Sequence, residues 1–487
     1  NVKMISTATA LDLLGPDYRY RTRLLGPGAD AEGTVAGDVY LHGSYDPTLG
    51  ADGLEDLAAR VAAGGVKRIT GDVLVGSVPT RDGLYRSRIG IDVTAGAPGA
   101  APRVEISPAD DFVEVKNEAT TGRRARVKGS VAVTSELVTR PDGHAHLVVT
   151  VRGTIGKGKH VARAIVTKER ALNAAYLLRA ALRRHGVELD GDVAVRELPA
   201  YVNALAGGGH LPVALGEHKS AALADIITQV NKRSINWLSD RVVATAAMNG
   251  SDEAPTVEDG VEAMYAWLDH RAGIHRSDAV VDTGSGLSYR TQLSTRQLVS
   301  VLRAATGLAH GSGAPADGRA AACAKAFTHS LSIAGVDGTL RARFHDALRG
   351  RVIAKTGTLS DVIALSGVLT GPAGHRIVFS LVTNGHDRSR KRTIRAGHEQ
   401  VLAILDHYLA MTAPKKAAAE SAEPVVAARD AAPAPATSPE AAAVAEPAPA
   451  AEPDEAPDAA FDGAPAAASD SDGDDDSPAD SPDDVDP

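Results

Sequence analysis

Three short segments carry side chains whose types and order could run proton-transfer chemistry. Lys3 stands near the start of a helical pattern. Ser234-Ile235-Asn236 falls at a break between two helical patterns, and Lys355-Thr356-Gly357, followed by Thr358, ends an apolar run. A lysine takes a hydroxyl proton only when its own amine is neutral, and burial and a second nearby cation both favour the neutral amine. Lys355 is the candidate second cation for Lys3. Gly357 leaves room for close backbone approach. Each segment also has a plainer reading: Ser234 and Asn236 as a helix cap, and Lys355 as an exposed lysine at a strand end.

The surrounding pattern predicts the elements that would position these groups. Val2, Met4, Ile5, Ala8, Leu11 and Leu14 have helical spacing, stopped by Gly15-Pro16. No capping signal stands before Asn1, so this helix is expected to begin upstream. From about Tyr20 to Ala206, short apolar or alternating runs between Gly, Pro and Asp turns predict strands. Two helices interrupt them, DGLEDLAARVAAGG and KERALNAAYLLRAALRRHG. Gly207-Gly208-Gly209 reads as a linker. Helical spacing then dominates from Ser220 to Thr306, with a break near Lys232. RVIAKTG, DVIALSGVLTG and HRIVFSLVTNG predict three strands of an antiparallel sheet joined by short turns, and RAGHEQVLAILDHYLAM closes the body as a helix.

Taken together, NVKMISTATALDLLGPDYRYRT, SINWLSDRV, VDTGSGLS, AGVDGTLRARF and AKTGTLSDVIALSG resemble the penicillin-binding serine DD-peptidases. The similarity is to the class C, low-molecular-mass D-Ala-D-Ala carboxypeptidases/endopeptidases, and it covers most of 1–412. The signature of that superfamily is Ser-x-x-Lys, Ser-x-Asn and Lys-Thr-Gly. Asn1-Val2-Lys3 matches the last three residues of its first motif, so the resemblance places the nucleophilic serine immediately before Asn1. The chain as written is then not expected to acylate. The resemblance implies Lys3 as general base, Ser234 as proton relay to the leaving amine, and Asn236 as the group that positions the lysine and the substrate amide. It implies Lys355, Thr356 and Thr358 as holders of the substrate's terminal carboxylate. It also implies an oxyanion hole built from the serine and Thr358 N–H groups. No metal or cofactor is expected. The implied partners are peptidoglycan stem peptides, with beta-lactams as inhibitors, outside the membrane. HGSYDPTLG departs from the Gly-Gly-Asp-Pro type of turn by carrying Ser44 and Tyr45, and Ile235 stands where Asp or Asn is common.

The implied fold is α/β (α+β): a DD-peptidase/beta-lactamase-like domain with an antiparallel sheet and a helical subdomain, interrupted by a long insertion. The 231 residues from Lys3 to Ser234 exceed what a compact helical subdomain needs. We therefore expect residues 1–22 and 208–412 to form the catalytic domain and 23–207 to be inserted β-rich domains. Residues 413–487 are expected to be a disordered Ala/Pro/Asp-rich tail.

Composition narrows the alternatives. The chain has 487 residues, a formal net charge of −9 and 3% aromatics. The segment from Ala413 to Pro487 carries a net −16, which leaves residues 1–412 at +7. Few aromatics and this weak basic excess argue against nucleic-acid binding. No run of apolar residues approaches the ~18 of a transmembrane helix. The single cysteine, Cys323, excludes an internal disulfide and a cysteine-based zinc site. DSDGDDDS, from Asp470, has Asp475 and Ser481 where a calcium loop wants Gly and Glu.

Glu169-Arg-Ala-Leu-Asn173 imitates a beta-lactamase deacylation motif but precedes Ser234, the wrong order, and more simply opens a helix. Asp282-Thr283-Gly284-Ser285 has no second copy to make an aspartic-protease dyad. His144 and His146 read as exposed strand residues, and Gly156 to His160 as a mobile basic loop. A non-catalytic wall-binding protein and a beta-lactamase remain as rival functions.

Overall fold

The computed structural model describes residues 1–412 apart from 44, 77–87, 127–129, 140–144, 168, 197–212, 249–254, 309–317, 345–347 and 373. The expected tail, the glycine linker and His144 lie outside the described residues.

The opening helix, Lys3–Leu14, is buried along most of its length rather than on one stripe. Met4 and Ile5 are fully inaccessible, and Ser6, Thr7 and Thr9 are buried with them. A helix enclosed on all sides belongs at the centre of a core, and here Ser6 and Thr7 find partners inside, while Thr9 Oγ1 has none among the described residues. Thr7 Oγ1 donates to the Lys3 carbonyl (2.6 Å), and Ser6 Oγ is hydrogen-bonded to Ser239 Oγ (2.8 Å). Gly15, at φ +85°, ends the helix and donates to Leu11 O (2.9 Å). Helices Leu223–Arg233, Asn236–Ala247, Val257–Trp267, Thr295–Ala305 and Gly318–Ser330 pack around it in one apolar core. The last of these has no clear apolar stripe in GRAAACAKAFTHS, which is why the sequence pattern does not announce it. Capping boxes start two of the others, Thr256 with Asp259 and Ser294 with Gln297.

Behind this core lies a four-stranded antiparallel sheet in the order Ser332–Ile333, Val352–Thr358, Val362–Thr370, Arg376–Asn384. Three of these strands follow from the sequence. The two-residue edge strand is too short to carry a period. The closing helix runs Lys391–Thr412, starting earlier than its apolar pattern suggests, and its Leu402 and Leu409 complete the core on the sheet's other side.

Between the first helix and Leu223 the chain builds a β-rich region with its own apolar core, from Leu24 to Val193. Its largest sheet has five strands, in the order Val193–Val195, Val73–Val75, Val39–Gly43, Arg21–Gly26, Val213–Lys219. Helices Ala51–Ala63 and Arg170–Arg184 cover it, and among the described residues three smaller three-stranded sheets accompany it. Two local expectations change here. His146 is buried (5% exposed) with Nε2 3.0 Å from Glu114, because it sits on the central strand of its sheet, Ala145–Ile155. The expected loop through Gly156 is a tight turn: His160 already opens the strand His160–Val166 and meets Asp92 at 2.9 Å. Tyr45, the residue that departs from a glycine turn, stands at φ +56°, a left-handed conformation that costs a non-glycine residue ~1–2 kcal/mol.

Candidate active site

The three segments singled out by sequence meet at one cleft of about 420 Å³, lined among others by Asn1, Lys3, Ser234, Asn236, Lys355, Thr356, Gly357 and Thr358. Each arrives from a different element: Lys3 from the first turn of the buried helix, Ser234 and Asn236 from a helix junction, and the last group from the end of a sheet strand.

The junction explains how a hydroxyl and an amide come to face the cleft together. Ser234 takes the left-handed conformation (φ +56°, ψ 42°), ending helix Leu223–Arg233 with its N–H bonded to Val230 O. The next helix starts at Asn236. Neither side chain caps a helix. Ser234 Oγ accepts from Lys355 Nζ (2.7 Å) and Asn236 Oδ1 accepts from Lys3 Nζ (2.5 Å). The left-handed turn at Ser234 is a place where strain is kept for the sake of geometry.

Both lysines are deeply buried, Lys3 at 5% and Lys355 at 1% exposed. Lys3 Nζ also donates to the Ser285 carbonyl (2.7 Å), and Lys355 Nζ to the Thr356 carbonyl (3.0 Å). Neither forms a salt bridge among the described residues. Burial pulls the Lys3 amine down to about 8, partly opposed by the carboxylate of Asp240. Burial, then the charge of Lys3, pulls Lys355 down to about 7. An ordinary lysine keeps its proton up to ~10.4. These two give it up near neutrality, which is what proton transfer at that pH requires.

Asn1 ties the helix to the sheet. Its Nδ2 donates to Lys355 O (3.2 Å) and its Oδ1 accepts from Ser366 Oγ (2.6 Å). Its backbone nitrogen lies within electrostatic reach of Lys355 and Lys3. Gly357 is the residue that allows this approach, since a Cβ there would stand 3.1 Å from Asn1 Nδ2 and 3.4 Å from the Asn1 nitrogen. Thr356 Oγ1 donates to Thr339 Oγ1 (2.8 Å), and Thr358 Oγ1 accepts from Arg395 Nη2 (3.3 Å).

Three contributors escaped the sequence reading. The Ser285 carbonyl is a backbone group and has no residue signature. Asp240 holds that segment by accepting from Ser285 N at 2.6 Å, and burial, the largest influence on it, raises its carboxyl. It stands four residues after Asn236, so it shares that helix face, and this spacing was the available signal. Arg395 lies on the closing helix and had no signal. The rejected Asp-Thr-Gly-Ser run supplies Ser285; its Asp282 is paired with Arg290 at 2.9 Å and stands apart from the lysines.

Comparison with known proteins agrees with this geometry. The family described as D-Ala-D-Ala carboxypeptidase 3 (S13) matches residues 1–82 and 83–405. The chain is 31% identical over 426 residues to a D-alanyl-D-alanine carboxypeptidase of Actinomadura sp. (strain R39), covering 79% of this chain and 73% of that one. It is 25% identical over 413 residues to D-alanyl-D-alanine carboxypeptidase DacB of Haemophilus influenzae, covering 79% and 80%. The crystal structure of penicillin binding protein 4 from H. influenzae, complexed with a beta-lactam, shares the fold, with TM-score 0.60 and 23% identity over 84% of this chain and 89% of that chain. No helix among the described residues is long and apolar enough to cross a membrane. With two buried lysines, a Ser-x-Asn junction and a Lys-Thr-Gly strand gathered on one cleft, and with that match along nearly the whole folded body, the chain belongs to the D-Ala-D-Ala carboxypeptidase 3 (S13) family of hydrolases.

Proposed function

We propose that this protein is a serine-type D-Ala-D-Ala carboxypeptidase that trims peptidoglycan stem peptides outside the membrane, with endopeptidase cleavage of the same kind of bond within its chemical reach. The observation that carries the reading is the pair of depressed lysines, one bonded to Asn236 and one to Ser234, beside the Asn1 nitrogen. A serine joined to that nitrogen is the proposed nucleophile. It stands three residues from Lys3, one helical turn away.

In the first step the serine Oγ attacks the carbonyl carbon of the penultimate D-Ala while its proton passes to the neutral Lys3 amine. The negative oxygen that forms is stabilised by the N–H groups of the serine and of Thr358. The C–N bond then breaks as Ser234 relays a proton to the leaving D-Ala nitrogen. Asn236 holds the lysine and the substrate amide. Lys355, Thr356 and Thr358 form the end of the cleft that meets the terminal carboxylate. Water hydrolyses the resulting ester, which restores the serine hydroxyl. None of these steps calls on a metal or cofactor. A cleft of about 420 Å³ suits the end of a peptide rather than a globular protein. Beta-lactams, which imitate the D-Ala-D-Ala terminus, acylate the same serine. Residues 1–22 with 208–412 are the proposed catalytic domain and 23–207 the insertion. Two separate apolar cores support that division.

The test is fluorescent-penicillin labelling of the chain with Ser, and separately Ala, placed before Asn1, alongside release of D-alanine from an acylated D-Ala-D-Ala dipeptide. Labelling and release are expected with Ser alone. Absence of both with Ser refutes the enzyme and leaves the non-catalytic wall-binding alternative. Penicillin hydrolysis without D-alanine release would instead make it a beta-lactamase.

A further inference from the structure

A carboxypeptidase must hold the free carboxylate next to the bond it cuts, and a buried lysine is an awkward group for that task. Two of the three donors of the Lys355 ammonium are spent on Ser234 Oγ (2.7 Å) and Thr356 O (3.0 Å). The side chain is almost inaccessible (1%). With its amine drawn to about 7, the positive charge is present only part of the time at neutral pH.

A second cation lies on the same cleft. Arg395, on the exposed face of the closing helix Lys391–Thr412, lines the cleft beside Thr358 and Leu359, and its Nη2 donates to Thr358 Oγ1 at 3.3 Å. Guanidinium does not lose its proton in proteins and presents paired N–H groups that match a carboxylate. Among the described residues Arg395 forms no salt bridge. The acid one turn further along, Glu399, is taken by Arg343 (2.7 Å), which also lines the cleft. One cation–anion pair therefore cancels there, and the charge of Arg395 is left facing the cleft.

We propose that Arg395, in place of the Lys355 assigned to this task above, is the carboxylate anchor of this site: its guanidinium, alongside Thr358, takes the substrate's terminal carboxylate, while Lys355 serves the Ser234 hydroxyl. This rests on the carboxypeptidase reading above. It divides two tasks between two cations according to chemistry. The one that must exchange protons is buried, and the one that must stay charged is exposed.

The experiment compares kcat/KM on an acylated D-Ala-D-Ala peptide and on its C-terminal amide, for the chain with Ser before Asn1 and for Arg395→Gln and Arg395→Lys. Charge-assisted hydrogen bonds are worth enough that Arg395→Gln should cut kcat/KM on the acid by about 10- to 100-fold. The loss should fall mainly on KM, and the acid-to-amide ratio should drop by a similar factor. Arg395→Lys should recover part of the ratio. Melting temperatures within a degree or so of the parent chain separate this from a folding defect. An acid-to-amide ratio unchanged in Arg395→Gln, with the parent chain active on the acid, overturns the anchor alone. A parent chain inactive on both peptides overturns the carboxypeptidase reading and the anchor with it.

Discussion

The proposed catalytic body and the proposed β-rich insertion each bury a basic side chain, and they treat it in opposite ways. In the insertion Arg179 is 9% exposed, lies over the Tyr176 ring at 4.6 Å, and meets Asp192 at 2.5 Å and Asp111 at 3.4 Å. In the catalytic body Lys3 and Lys355 are buried as deeply and meet only hydroxyl, amide and carbonyl oxygens. An arginine must be paired when buried because it keeps its charge, whereas a lysine can shed its proton and so tolerate having no salt-bridge partner, the carboxylate of Asp240 acting on Lys3 only from beyond contact. The paired arginine serves the fold. The unpaired lysines cost stability and gain a proton acceptor near neutral pH.

The largest expected effect tests that difference at Lys3. Lys3→Met, in the chain with Ser before Asn1, should slow penicillin acylation by roughly 10²–10⁴-fold, yet leave the melting temperature unchanged or higher, since an unpaired buried cation is replaced by an apolar side chain. A normal acylation rate in this variant would sink the base assignment. Arg179→Met makes the reverse prediction. Loss of charged hydrogen bonds should destabilise the protein by ~1.5–3 kcal/mol, read by denaturant unfolding, with the acylation rate of the remaining folded protein intact. Equal damage to both properties in both variants would erase the distinction between the regions.

The pH dependence sharpens the same contrast. Acylation should rise with pH through about 8, where Lys3 loses its proton. Stability should follow it. Between about 7 and the ~10.4 of an unfolded lysine, the unfolded chain holds protons that folded Lys3 and Lys355 have released, so unfolding becomes harder as pH rises through that window. Lys3→Met should flatten part of that gain, and urea midpoints between pH 7 and 10 measure it. In the insertion, Glu55 is held below the usual carboxylate range by its hydrogen bond from Arg184. Its contribution is present above the unfolded carboxylate pKa and is lost as pH falls through the lower folded one.

Two smaller effects follow. Asp240→Asn removes the charge that supports protonated Lys3 while an amide oxygen can still accept from Ser285 N, so the acid limb of the acylation profile should move to lower pH. A limb that stays in place would show that Asp240 acts only on the backbone. At the insertion's surface, Arg152 and Glu118 pair at 2.6 Å with both side chains well exposed. Solvent and ions screen such a pair, and Arg152→Ala should leave the unfolding midpoint where it was.

Local signals carried much of the architecture. Gly15-Pro16 ended the first helix where expected, and the break foreseen near Lys232 falls at Ser234. Apolar runs ending in Lys-Thr-Gly and Thr-Asn-Gly marked two strands of the catalytic sheet. What stayed hidden had no period to read: the alanine-rich helix Gly318–Ser330 and the two-residue edge strand. At the site, Lys3, Ser234, Asn236, Lys355, Thr356, Gly357 and Thr358 were legible as motif residues, and one cleft holds them all. The Ser285 carbonyl, Asp240 and Arg395 come from segments whose sequences say nothing about where the chain will fold back.

The sequence by itself determined the order of elements and the residue types available for chemistry, because helix and strand patterns and turn residues act over a few neighbours. Only the tertiary structure decided the state of those residues. A lysine's affinity for its proton depends on the water removed and the charges brought near. For Lys3 and Lys355 both come from packing between segments more than two hundred residues apart in one case and more than one hundred in the other.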